Sequence, residues 1–211
     1  MITWATSDGR EEGGERVVPA ASTIKIFVAS AFWRSGLDAA EEVDVAETPW
    51  SLADRLHGPV TLRDCALLML AFSDNAATNV LLERLGFDAV TAEASRLGAE
   101  RTEVRRLMMG DGPENVTCAR DLARGMAAID EARVFEALAV AHDSELPYRL
   151  PQHEVLVKTG EIWPRVYHEV ALVDRRVSVA VCSEPAALPG EVAAVAERMI
   201  VRSLVRGDTP G

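Results

Sequence analysis

The spacing of apolar and polar positions changes period twice along the chain. Residues 2–6 (I-T-W-A-T) alternate as a short strand, and residues 7–15 (S-D-G-R-E-E-G-G-E) carry turn chemistry. Residues 16–19 read as a segment that pairs back on that first strand. From residue 23 to about 34 the apolar positions recur at helical spacing. Residues 37–60 are mixed, with Pro49, Gly58 and Pro59 as breakers, and predict loops and short turns. Four helical patterns follow. The first covers 61–72 and opens on T-L-R-D, a capping box with Asp in place of Glu; its body C-A-L-L-M-L-A-F is apolar nearly all round and predicts burial. The second covers 75–85 and stops at Gly86, and the third covers 88–97 and stops at Gly98. Residues 99–116 are irregular. The fourth helix is capped by Thr117 and runs to about 129, with 131–141 continuing in helix. Then the period becomes that of strands. Residues 155–159, 166–173 and 176–182 are β-branched runs, and D-R-R at 174–176 turns the last two into a hairpin. Pro189 opens a final helix with one apolar stripe: Val192, Val195, Ala196, Met199, Ile200 and Leu204.

Strands at both ends and helices between them predict an α/β (α+β sandwich) fold. An antiparallel sheet is built from both chain ends, the last helix covers one face, and the middle helices cover the other and form a lobe. The reading is a single domain over 1–211. A helical lobe at about 37–145 is inserted between sheet-forming segments 1–36 and 146–211.

Composition narrows the partners. Among 211 residues, 48% are hydrophobic and 26% charged, with a formal net charge of −11. That sign disfavours nucleic acid and anionic membrane surfaces, which reward clustered Lys and Arg. No apolar run approaches the roughly 18 residues of a membrane span. The first ten residues lack the basic head and apolar stretch of a secretory signal. The expectation is therefore a cytoplasmic protein as written, or an extracytoplasmic one if the true start lies upstream. Cys65, Cys118 and Cys182 show no C-x-x-C spacing and read as free buried thiols. His57, His142, His153 and His168 show no metal spacing, so no metal and no cofactor is expected.

The chemistry is concentrated in three short stretches. S-T-I-K places Ser22 and Lys25 at i and i+3, on one face of a helix start. A serine hydroxyl needs a proton acceptor to become a nucleophile, and a lysine held neutral by burial beside another cation can be one. A helix start also points backbone N–H groups outward, where they can hold an oxyanion. Ser73-Asp74-Asn75 lies at a helix–helix junction and offers a hydroxyl for proton relay and an amide for a substrate carbonyl. Lys158-Thr159-Gly160 lies at the end of a strand and offers a cation, a hydroxyl and a residue without a side chain.

S-x-x-K, S-D-N and K-T-G, in this order and these contexts, resemble the serine β-lactamase and penicillin-binding-protein superfamily. The resemblance is closest to class A β-lactamases, and A-A-T-N-V-L-L-E-R-L-G and N-V-T-C-A-R-D-L-A extend it. It implies a five-stranded antiparallel sheet flanked by helices, with the active site between sheet and helical lobe. It implies Ser22 as the acylated nucleophile, Lys25 as its general base and Ser73 as proton relay. Asn75 would contact the substrate amide. Lys158 and Thr159, with Gly160, would bind the substrate carboxylate. The backbone N–H groups of Ser22 and Glu161 would form the oxyanion hole. The implied substrate is a small molecule: a β-lactam, an ester or a peptide-like amide.

The sequence departs from that family in three places. The class A motif E-x-x-L-N, whose glutamate activates the deacylating water, is absent. Its place falls near Leu107, Met108 and Met109, with Asp111 and Glu114 just downstream as substitute acids. A shortfall in deacylation follows, and slow β-lactam hydrolysis is expected. Carboxylesterase, amidase or D-alanyl-D-alanine peptidase-like activity, and a non-hydrolytic penicillin-binding sensor, stand as alternatives. His168 occupies a strand position where class A members often carry an arginine for the carboxylate, and is a candidate replacement. Finally, the family's helix before the first strand has no counterpart after Met1. The 192–204 stripe would then need another cover, such as a second copy in a homodimer.

Overall fold

The computed structural model describes residues 1–141 and 143–207, with the backbone alone for Arg206 and Gly207. His142 lies outside the described residues.

The chain begins with β1 (Ile2–Thr6), which turns into the two-residue β2 (Glu11–Glu12) and then β3 (Val18–Pro19). A 3-10 turn over Ala21–Ile24 leads into α1 (Lys25–Arg34). After β4 (Glu42–Val43) and a 3-10 turn at Ala53–Arg55 come β5 (Val60–Thr61), α2 (Leu62–Ala71), α3 (Asn75–Leu85) and α4 (Phe87–Arg96). The irregular stretch that follows ends in β6 (Val116–Thr117), then α5 (Ala119–Ala128), α6 (Ala132–Ala139) and the single turn α7 (Leu146–Arg149). The long strands β7 (Val155–Ile162), β8 (Val166–Val173) and β9 (Val177–Ser183) precede α8 (Pro189–Gly207). Among the described residues β4 pairs only with β5.

The main sheet has five antiparallel strands in the order β2-β1-β9-β8-β7, so both chain ends build it. Strand alternation sends successive side chains to opposite faces. Leu156, Val170, Leu172, Ala180 and Cys182 join the core shared with the lobe helices. Val157, Tyr167, Ala171, Val173, Val179 and Val181 pack instead with Val192, Ala196, Met199 and Ile200 of α8. The inner part of the 192–204 stripe is therefore covered by this chain's own sheet. The β8–β9 hairpin turns through Asp174 and Arg175, both in the left-handed region (φ 50° and 55°), which matches the right-handed twist of the flanking strands.

Two local expectations are corrected. Residues 16–19 do not pair with β1. Glu11 and Glu12 do, and Val18–Pro19 pair with Val116–Thr117 of β6. Thr117 is not the cap of α5; it lies in β6, its hydroxyl 2.9 Å from that of Thr102, and Cys118 is the cap residue. By contrast, Thr61 and Asp64 form the reciprocal capping box at the start of α2.

Candidate active site

Three pieces of chain, far apart in sequence, meet where β7 passes the turn before α1. The first is that turn. Ala21 adopts φ 47°, an unfavourable conformation for a residue with a side chain. Lys25 N–H donates to the carbonyls of Ser22 and Thr23, so Ser22 and Lys25 share one helical turn. Among the described residues the Ser22 hydroxyl has no hydrogen-bond partner, and its side chain is half-buried.

The second piece is the α2–α3 junction. Ser73 bridges it with φ 56°. Lys25 is 0% exposed, and its Nζ donates to Ser73 O at 2.5 Å, Ser73 Oγ at 3.3 Å and Asn75 Oδ1 at 2.9 Å. All three acceptors are neutral. Loss of hydration, reinforced by the charge of Lys158, pushes the Lys25 ammonium well below the ordinary lysine pKa, against the opposing pull of Asp74 and Asp143.

Asp74 explains why this junction holds its shape. Its carboxylate caps α3 through Ala77 N–H (2.8 Å). It also accepts from Ser51 Oγ (2.8 Å), Leu52 N–H (2.6 Å) and Ala53 N–H (3.0 Å). Burial alone would raise its pKa, but these hydrogen bonds outweigh that and hold it low. Asn75 Nδ2 donates to Pro49 O at 3.1 Å. The 49–53 segment is thus tied down from both sides, with Trp50 at its tip 85% exposed.

The third piece is the middle of β7, an edge strand of the sheet; Lys158–Gly160 lie within it and not at a strand end, because pairing with β8 runs on to Ile162. Lys158 is also 0% exposed, and Nζ donates to Thr159 O at 3.1 Å and to Asp143 Oδ2 at 3.4 Å. Thr159 Oγ1 donates to the same Asp143 oxygen. Desolvation lowers the Lys158 pKa while Asp143 works to raise it. Gly160 is required by close approach. A Cβ there would lie 2.8 Å from Thr23 N and 2.9 Å from Ser22 N, so any side chain would push β7 off the serine turn. Glu161 follows at once, with its side chain exposed.

Ser22, Lys25, Ser73, Asn75, Lys158, Thr159 and Gly160 are therefore linked by direct contacts or through this packing. The other candidates are not. His168 is fully buried; its Nε2 lies 2.8 Å from Pro19 O and its Nδ1 accepts from Ser183 N–H at 3.2 Å. That pairing places the ring proton on Nε2, and burial lowers the pKa, so the imidazole is neutral. Its two ring nitrogens tie β8 to Pro19 of β3, ahead of the serine turn, and to Ser183 of β9. Glu114 pairs with Arg106 (2.6 Å) and Arg165 (3.7 Å), and Asp111 is exposed. Among the described residues neither bonds to Ser22, Lys25 or Ser73.

The loop of residues 105–115 is nonetheless well held. Asn79 of α3 clasps the backbone of Met108, accepting from its N–H at 2.7 Å and donating to its carbonyl at 3.1 Å. Asn115 does the same for Arg105 and Arg106. Leu107 and Met108 pack on the lobe core. Asp143, Asn79 and Pro49 carry structural roles that sequence reasoning missed. Among the described residues no group of three or more His, Cys, Asp or Glu is arranged to hold a metal.

A sheet from both chain ends, a helical lobe and a serine–lysine pair between them define a β-lactamase-like fold. The model of the beta-lactamase enzyme family matches residues 4–200, and the chain belongs to that family. Solved structures agree in fold. A class A β-lactamase from Mycobacterium abscessus superposes with TM-score 0.80 at 19% identity, covering 97% of this chain and 94% of its own. A putative class A β-lactamase from Rhodopseudomonas palustris gives 0.78 at 20% identity over 92% and 90%. A β-lactamase from Sphaerobacter thermophilus gives 0.74 at 25% identity over 87% and 81%. Comparison with curated proteins found no match.

Proposed function

We propose that this protein is a serine acyl hydrolase that works through an acyl-enzyme on Ser22. The observation that carries the reading is the environment of Lys25: a fully buried amine, one helical turn from Ser22, facing only neutral oxygens. With its pKa lowered, such an amine is a readier proton acceptor than an ordinary lysine. In the first step Lys25 Nζ takes the Ser22 proton and Oγ bonds to the substrate carbonyl carbon. The N–H groups of Ser22 and Glu161 hold the resulting oxyanion. Collapse breaks the bond to the leaving nitrogen or oxygen. Ser73 Oγ, 3.3 Å from Lys25 Nζ, passes the leaving group a proton and is resupplied from Lys25.

The second step needs a water and a base of its own. The residue clasped by Asn79 is Met108, and the acids of that loop are ion-paired or exposed. This supports acylation followed by slow release with β-lactams, and easier turnover of simple esters. The same observation favours a second reading, a penicillin-binding sensor that keeps its acyl group.

Intact-protein mass spectrometry after mixing with benzylpenicillin, sampled from seconds to hours, tests both. A p-nitrophenyl ester is run in parallel. A long-lived adduct on Ser22, absent from Ser22→Ala, is expected. Labelling that persists in Ser22→Ala removes the nucleophile. An adduct that vanishes within seconds as hydrolysed penicillin accumulates removes the slow release.

A further inference from the structure

Asp143 is in none of the three motifs, yet it holds the centre of one. Lys158 Nζ and Thr159 Oγ1 both donate to its Oδ2. Two donors converging on one oxygen make a carboxylate seat, and here the chain's own carboxylate sits in it. Its neighbour is anchored too. Ser144 Oγ donates to buried Glu169 at 2.8 Å and accepts from Leu146 N–H at 3.0 Å, so the segment is fastened to the sheet and to the start of α7.

The charges around the seat point the same way. Lys158 is influenced by Glu161 as well as Asp143, so two acids surround one buried cation. His168 is neutral and turned to backbone partners. Arg165 pairs with Glu114 and Glu184, both at 3.7 Å. Asp143 itself is 38% exposed, so it also faces whatever enters beside it. An incoming carboxylate meets a like charge and donors that are already engaged.

We propose that Asp143 is a specificity-determining residue. It stands in for a substrate carboxylate and makes this end of the cleft select substrates that are neutral or cationic there. The inference rests on the acyl-hydrolase reading for its consequence in catalysis, but not for its consequence in binding.

Two measurements separate these. In the first, acylation of the native protein is timed with benzylpenicillin and with its methyl ester. The ester is expected to react at least as fast; a free acid faster by about tenfold or more overturns the proposal. In the second, Ser22→Ala, which leaves no nucleophile to acylate, is titrated with benzylpenicillin by calorimetry. The titration is repeated with Asp143→Asn added, and with Asp143→Ala added, which empties the seat. Binding about tenfold tighter in the double variants is expected. Unchanged, weaker or undetectable binding in both overturns the proposal. Should the native protein form no adduct with either compound, the acyl-hydrolase reading fails and the titration still decides the role of Asp143.

Discussion

Two lysines, Lys25 and Lys158, are both 0% exposed and close enough that the charge of Lys158 lowers the pKa of Lys25, yet their surroundings differ in kind. Lys25 sees a carbonyl, a hydroxyl and an amide oxygen. Lys158 sees a carbonyl and a carboxylate. Burial without a counter-ion favours the neutral amine, and burial against a carboxylate favours the ammonium. On the proposed mechanism, one fold prepares two copies of the same side chain for opposite tasks: Lys25 for accepting a proton, Lys158 for keeping one. The difference comes from which loop each side chain meets, the α2–α3 junction for Lys25 and the segment before α7 for Lys158.

Replacing each lysine by arginine breaks this comparison most directly. Arginine keeps its charge at every accessible pH. Lys25→Arg should lose the general base and slow acylation by ~10²–10⁴-fold, read by time-resolved mass spectrometry. In the native protein, acylation should rise with pH through a midpoint well below the ordinary lysine value of 10.5, because the Lys25 pKa is lowered by desolvation and Lys158. A midpoint near that ordinary value would cancel the distinction. Lys158→Arg should cost far less, about tenfold or below, because the charge Asp143 requires is retained. If the two substitutions cost the same, the two lysines do not differ in task.

A smaller effect belongs to a third buried group. Glu169 is 1% exposed, accepts from Ser144 and Tyr167, and has its Oε2 without a partner among the described residues. Burial pushes its pKa up to about 7, from 4.5. The native state then holds a proton that the unfolded chain releases near 4.5. Glu169 stabilises the fold in full below that value and loses the contribution as pH rises through about 7. The change amounts to about 3 kcal/mol. Urea unfolding across pH 4 to 8 should show that slope in the native protein and not in Glu169→Gln. Equal slopes would mean the carboxyl is not held neutral.

Much of this was readable in advance because it is local. The Ser22–Lys25 spacing, the T-x-x-D box at Thr61 and the D-R-R turn each fix their geometry within four residues. The five-stranded sheet followed from period-two runs at 155–182 and from the family resemblance. What escaped reading depends on distant partners. Val18–Pro19 is too short to carry a period, and its partner lies at Val116–Thr117. Thr117 has the chemistry of a cap, but that pairing and the Thr102 hydroxyl claimed it. Asp143 sits in an irregular segment between α6 and α7, and nothing in its neighbours' identities announces that Lys158 and Thr159 will reach it.

Ala21, at φ 47°, precedes Ser22, and Ser73, at φ 56°, carries the second hydroxyl of the proposed acyl transfer. Neither is glycine, the residue that adopts such angles without steric cost. Each holds about 1–3 kcal/mol of conformational energy that the rest of the fold must offset. A search for thermostable variants would therefore be drawn to Ala21→Gly, and would gain melting temperature by letting the serine turn relax, whereas Ser73→Gly would relieve the second strain only by deleting the hydroxyl itself. On the proposed mechanism, durability and reactivity meet at these two residues, and selection for one works against the other.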